Sequence, residues 1–118
     1  MKKIAILTCL HSNDVCTRTG CLEALKHKTG TFDSYRHEAI ELAAVWTCQG
    51  CGNMKFSNKG DLQEKLSAIT AAEITAVHIG KCCWRKTRSG RNKKCRYVEQ
   101  IEKCLLVRHI QVIWGTHA

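Results

Sequence analysis

The sequence predicts an α/β fold: a small, doubly wound, three-layer domain on a four-stranded, mostly parallel sheet. Three observations lead there. Short apolar runs recur at residues 3–9, 41–47, 74–80 and 109–114. Stretches of helical period separate them. The resulting order, strand-helix-strand four strands long, favours parallel pairing with right-handed crossovers. The doubly wound arrangement then places the strands in the order 2-1-3-4 across the sheet.

Lys3 to Cys9 is continuously apolar from Ile4 to Leu7, as expected of a strand covered on both faces. A polar loop runs through Gly20. Cys21 to Lys28 reads as a short helix with Leu22 and Leu25 on one face, stopped by Gly30. Phe32, Tyr35 and Ile40 mark a packed, partly helical connection. Glu41 to Thr47 is the second strand. Its alanines are poor strand formers, but the turn Cys48-Gln49-Gly50-Cys51-Gly52-Asn53 bounds it. Asp61 to Glu73 is a helix with Leu62, Leu66 and Ile69 in one stripe, capped by Ser57 or Asn58. Ile74 to Gly80 is the third strand and a basic loop follows. Cys95 to Val107 is an amphipathic helix with Val98, Ile101 and Leu105 inward. His109 to Trp114 closes the sheet, followed by Gly115-Thr116-His117.

A chain of 118 residues fits one domain, spanning 1–118, with a modest core. The longest apolar run is far too short to span a bilayer. The N-terminal run is also short for a signal peptide, and the polar His11-Ser12-Asn13-Asp14 follows without a small-residue cleavage site. The expected location is therefore the cytoplasm. In that reducing compartment cysteines more often bind metal or do redox work than form structural disulfides. The odd count of nine cysteines also argues against a complete disulfide framework.

The cysteines are not scattered. Cys9 closes the first apolar run, Cys48 and Cys51 the second, Cys82 and Cys83 the third, and His117 follows the fourth. Open α/β sheets build their sites at these carboxyl ends. Cys48-Gln49-Gly50-Cys51 is a two-thiol knuckle in which Gly50 permits a tight turn. The sulfurs around one tetrahedral zinc lie within roughly 4 Å of one another. The outer strands of a four-stranded row are roughly 14 Å apart, so one ion does not reach every candidate. Cys9, Cys48, Cys51 and Cys82 form the best single set. Cys95 enters from its loop. His117 belongs to a second site or orients a ligand.

Other candidates have plainer readings. Cys104 lies on the apolar stripe of its helix and reads as a core thiol. Cys83 follows Cys82, and neighbours in an extended segment point to opposite faces. Cys21 opens a helix, where it is either a reactive thiol or a buried one. His78, inside a strand, reads as structural, and His11, His27, His37 and His109 as surface or packing residues. Trp46 and Trp114 read as core, and Trp84 as a contact residue.

The whole chain resembles the CGGC-domain family, small prokaryotic domains with an expected metal-binding role. The namesake motif corresponds to Cys48-Gln49-Gly50-Cys51, with Gln49 replacing the first glycine and both thiols kept. The resemblance extends to Thr8-Cys9, Val15-Cys16-Thr17 through Cys21, Gly80-Lys81-Cys82, Cys95 and Gly115-Thr116-His117. It implies a site for zinc or another metal built from these cysteines and His117, and it supplies no reaction.

Three functions compete. The first is a zinc-binding domain; four thiolates suit an iron–sulfur cluster of an electron-transfer or sensor domain equally well. Whether such a site is structural or that of an enzyme is open. The second is a thiol–disulfide enzyme using Cys48 and Cys51. It is weakened because Gly52, Asn53 and Gly60 delay the next helix, and because the chain has no proline to face a thioredoxin-like CxxC. The third is an anionic ligand or nucleic acid at Lys81–Arg96, where eight basic residues occur with no acid.

Overall fold

The computed structural model describes residues 2–9, 16–48 and 59–116. Its elements are β1 (Lys2–Cys9), α1 (Thr19–His27), β2 (Ile40–Cys48), α2 (Lys59–Ala71), β3 (Ala76–Ile79), β4 (Trp84–Lys86), β5 (Asn92–Lys94), α3 (Arg96–Val107) and β6 (Gln111–Trp114), with 3-10 turns at Gly30–Tyr35 and Lys81–Cys83. The main sheet has the order β2-β1-β3-β6, and every pairing in it is parallel. This is the order expected for four strands of a doubly wound sheet, and the fold is α/β.

Alternation along β1 builds two cores. Ala5, Leu7 and Cys9 face α2 and α3, where Leu66, Ile69, Val98, Ile101 and Leu105 cover them. Ile4 and Ile6 face the other way, onto α1 and the 3-10 turn, through Cys21, Ala24, Phe32 and Tyr35. Central β1 is therefore apolar on both faces, and Ile4, Ala5 and Leu7 are wholly buried.

Helix ends differ by a few residues from the sequence reading, for one physical reason. Lys28, Glu73 and His109 each adopt a left-handed backbone, with φ of 53°, 61° and 61°. Each ends or follows a helix. The Lys28 N–H reaches back to the carbonyls of Ala24 and Leu25, and Ile110 N–H bonds Leu105 O at 3.1 Å. None is glycine, so composition does not mark them. Consequently β3 and β6 start two residues later than their apolar runs suggest.

The basic segment is not a simple loop. β4 and β5 pair as an antiparallel ribbon, and Thr87 N–H closes the turn on Arg91 O at 2.8 Å. Gly90, at φ 81°, supplies the left-handed turn position. Among the described residues, no helix is long and apolar enough to cross a membrane.

Candidate metal centre

β1 and β2 bring the first two thiols together. Their register pairs Cys9 with Cys48, the last residue of each strand. A bulge underlies this arrangement: Ile4 pairs with Leu42 but Ala5 pairs with Ala44, leaving Ala43 as the extra residue. Before the bulge, Ile40 and Leu42 pack on the α1 side; beyond it, Ala44, Trp46 and Cys48 pack on the α2–α3 side. Cys48 thus shares a face with Cys9, and both are 5% exposed.

β3 ends earlier than β1. Gly80 N–H makes the last ladder bond, to Leu7 O at 2.8 Å, and the chain then turns through Lys81–Cys83. The Cys9 N–H, left beyond the ladder, donates to Cys82 Sγ at 3.2 Å. A Cβ on Gly80 would lie 3.3 Å from that sulfur, so the glycine leaves room for it.

Cys83 joins the same cluster. Because residues 81–83 form a 3-10 turn rather than an extended segment, Cys83 does not diverge from Cys82 as a strand neighbour would. It is fully buried and hydrogen-bonded to Cys82. That bond, then burial, then the charges that Cys82, Cys9 and Cys48 would carry push the Cys83 thiol far above its ordinary range. Cys83 is the residue that local sequence reasoning set aside; the glycine before it is the signal for a turn. Cys95 precedes α3, is 5% exposed, and lies in the same core as Cys9, Cys48 and Cys83. Its N–H donates to Cys83 O at 3.0 Å, tying the start of α3 to the cluster.

Cys51 and His117 lie outside the described residues, as do Ser57 and Asn58, the expected cap of α2. Among the described residues, no group of three or more His, Cys, Asp or Glu side chains is arranged to hold a metal ion. The described part of the site is therefore a thiol cluster around Cys9, Cys48, Cys82 and Cys83. Thiol donors of this kind suit a thiophilic ion.

A second group of polar residues occupies the opposite face. Arg18, the residue before α1, has φ 65°. Its guanidinium donates to Thr8 Oγ1 from Nε at 3.1 Å and from Nη2 at 2.9 Å, and from Nη1 to Cys16 O at 3.2 Å. Cys21, in the first turn of α1, lies 3.1 Å from Thr116 Oγ1. Burial, helped by the charges that Cys16 and Cys82 would carry, pushes its thiol up against the lowering effects of Thr116 and Arg18. Thr8 and Thr116 gain roles as partners of these side chains, and Arg18 gave no signal in the sequence.

His78 is structural, as its place in a strand suggested. The Thr31 hydroxyl donates to Gly115 O at 2.7 Å, so it accepts from His78 Nδ1 at 2.9 Å. Nε2 then accepts from the Tyr35 hydroxyl at 2.8 Å. The ring lies on Phe32, centroids 4.3 Å apart. Burial is the main force holding its pKa down, at about 4. Cys104 is half-buried against the α3 core.

Trp84 is a packing residue rather than an open contact platform. It meets Trp114 edge-on with centroids 5.6 Å apart, and Lys94 Nζ sits over both rings. Trp114 also donates to Glu102 at 3.0 Å.

No curated protein and no solved structure matches the sequence. The family model of the CGGC domain matches residues 3–117, which include every cysteine of the cluster. Cys48, the first residue of Cys48-Gln49-Gly50-Cys51, ends β2 beside Cys9 on β1. The chain belongs to the CGGC-domain family.

Proposed function

We propose that this chain is a metal-binding domain whose ion is zinc, held at the carboxyl edge of the sheet by Cys9, Cys48, Cys51 and Cys82. Cys95 flanks the site, and His117 orients a ligand or serves a second ion. One observation carries the reading: Cys9 and Cys48 are register partners on one face, with the Cys82 sulfur against the Cys9 N–H.

The electrostatics favour the same conclusion. Thiols packed this closely resist joint ionisation: the bond to Cys82 and burial push Cys83 up first, and the charges that Cys82, Cys9 and Cys48 would carry add to it. A divalent cation reverses that balance, because it stabilises several thiolates at once and releases their protons. The charge of +9 on the chain offsets part of the thiolate charge. Four thiolates would fill the zinc coordination sphere, which is the structural rather than the catalytic pattern. Reduced thiols of this kind fit a reducing compartment, the cytoplasm.

Cobalt substitution tests the ligand set. Cobalt bound by thiolates gives intense sulfur-to-metal absorption, expected in the wild-type chain and weakened in Cys9→Ser, Cys48→Ser, Cys51→Ser and Cys82→Ser. Undiminished absorption in all four variants would sink the assignment. Brown protein containing iron and sulfide would replace zinc with an iron–sulfur cluster on these thiolates. Cobalt-free protein with a reversible Cys48–Cys51 disulfide would favour redox exchange.

A further inference from the structure

We infer that the β4–β5 ribbon docks on duplex DNA, gripping phosphates without reading sequence. Both feet of the ribbon stand in the core. It leaves at Cys83 and returns at Cys95, which the Cys95 N–H to Cys83 O bond joins at 3.0 Å. Trp84 and Lys94 are its first cross-strand pair. The Lys94 ammonium lies 4.9 Å from the Trp114 ring centroid and 5.9 Å from that of Trp84, which fixes the base of the ribbon on the body.

Beyond its base the ribbon stands clear of the body. β4 and β5 form a two-stranded sheet of their own, and residues 87–93 are all exposed. A Cβ added to Gly90 would meet nothing within 4 Å. The tip is nonetheless fixed by its own bonds. Thr87 N–H reaches Arg91 O at 2.8 Å, Gly90 N–H reaches Thr87 O at 2.9 Å, and Arg91 N–H reaches the Thr87 hydroxyl at 3.3 Å. Arg88, Arg91 and Lys93 therefore stand on a preset frame rather than a slack loop, which lowers the entropy cost of binding.

The charge on this frame is not balanced nearby. Residues 81–96 include eight bases and no acid. The register sets Arg85 opposite Lys93, and like charges at opposed positions weaken a ribbon. Among the described residues, ion pairs join Glu23 to His27 and Asp33 to Arg36, and Arg88, Arg91 and Lys93 take part in none. A ribbon that keeps such charge at a cost in stability matches an external polyanion.

Three features select duplex DNA among polyanions. Residues 85–94 contain no apolar side chain, and Trp84 packs on Trp114. An acidic protein would find no anchor of the kind that dominates protein interfaces. The same residues offer no aromatic ring on which the bases of a single strand would stack. The paired strands rise about 7 Å from Trp84 to Lys86, and the turn extends further. A two-stranded ribbon fits the major groove of B-DNA, about 12 Å wide and about 8.5 Å deep, whereas the A-form groove of duplex RNA is too narrow.

The test uses full-length protein with its native metal content and fluorescently labelled DNA duplexes of two unrelated sequences. Anisotropy should show equal binding to both at low salt. The slope of log affinity on log salt should be about −3, the value for three phosphate contacts. Arg91→Gln should weaken binding several-fold and reduce that slope by about 1. Lys26→Gln, an exposed α1 position, changes the net charge equally and should leave both unchanged. Both variants should keep wild-type metal content, so failure here is distinguishable from failure of the metal reading. No binding at low salt, equal losses from Arg91→Gln and Lys26→Gln, or a strong preference for one sequence would overturn the proposal. So would tighter binding to polyglutamate, to single-stranded DNA or to an RNA duplex than to the DNA duplexes.

Discussion

Cys9 and Cys48 end adjacent parallel strands as register partners, on the same buried face of the sheet. Paired positions of parallel neighbours are separated by about 4.8 Å of backbone. The bulge at Ala43 moves the second half of β2 onto this face. Two chain segments thirty-nine residues apart in sequence (9 to 48) therefore supply neighbouring thiols.

Serine substitutions should separate site thiols from core thiols. Cys9→Ser and Cys48→Ser are expected to lose most bound metal and to melt at lower temperature, since metal affinity contributes to folding. Cys104→Ser, on the half-buried flank of α3, should keep full metal content. Elemental analysis with thermal unfolding checks all three.

Gly80→Ala tests Cys82 without removing it. The Gly80 backbone, at φ −64° and ψ 153°, accepts alanine without strain. The new Cβ would stand 3.3 Å from Cys82 Sγ and must push that sulfur aside. Stability should change by about 1 kcal/mol or less, while metal affinity falls about tenfold, the scale of losing a ligand's support. Competition with a chelator measures the affinity. Unchanged affinity would remove Cys82 from the ligand set.

His78 should make the fold acid-sensitive. In the folded chain it titrates at about 4, and its ordinary value is 6.5. Between those values the unfolded chain binds more protons, so the His78 contribution is full above pH 6.5 and is lost as pH falls towards 4. The shift corresponds to about 3 kcal/mol. Denaturant midpoints measured across this range should fall less steeply in His78→Gln, which starts from lower stability because Tyr35 and Thr31 lose their partner.

Gly115→Ala should destabilise by about 1–3 kcal/mol. Gly115 has φ 149°, and a Cβ there would come within 2.6 Å of the Thr31 methyl. The clash would separate Thr31 from the Gly115 carbonyl it bonds, and with it the His78 network. A denaturant midpoint equal to wild type would contradict this.

The sheet was legible because each strand is a short apolar run ending in a cysteine or polar turn, and the order followed from alternation with helices. The positions of Cys9 and Cys48 at strand ends were legible for the same reason, whereas Cys82 lies past the end of β3 in the 3-10 turn. That Cys83 lies beside Cys82 was not legible, because residues 81–83 form a 3-10 turn where strand periodicity was expected. The β4–β5 ribbon was hidden by its charges, since strand patterning tracks burial and these residues from Thr87 to Lys93 are exposed. Arg18 and Thr8 meet across ten residues through side-chain geometry, which no spacing rule encodes.

Metal stoichiometry of full-length protein purified without oxygen is the most direct measurement. One colourless zinc per chain in wild type, absent from a Cys9→Ser/Cys48→Ser double variant that still folds, is the expected result. Folded wild-type protein without metal, or full zinc in the double variant, would contradict a thiolate metal centre at the ends of β1 and β2.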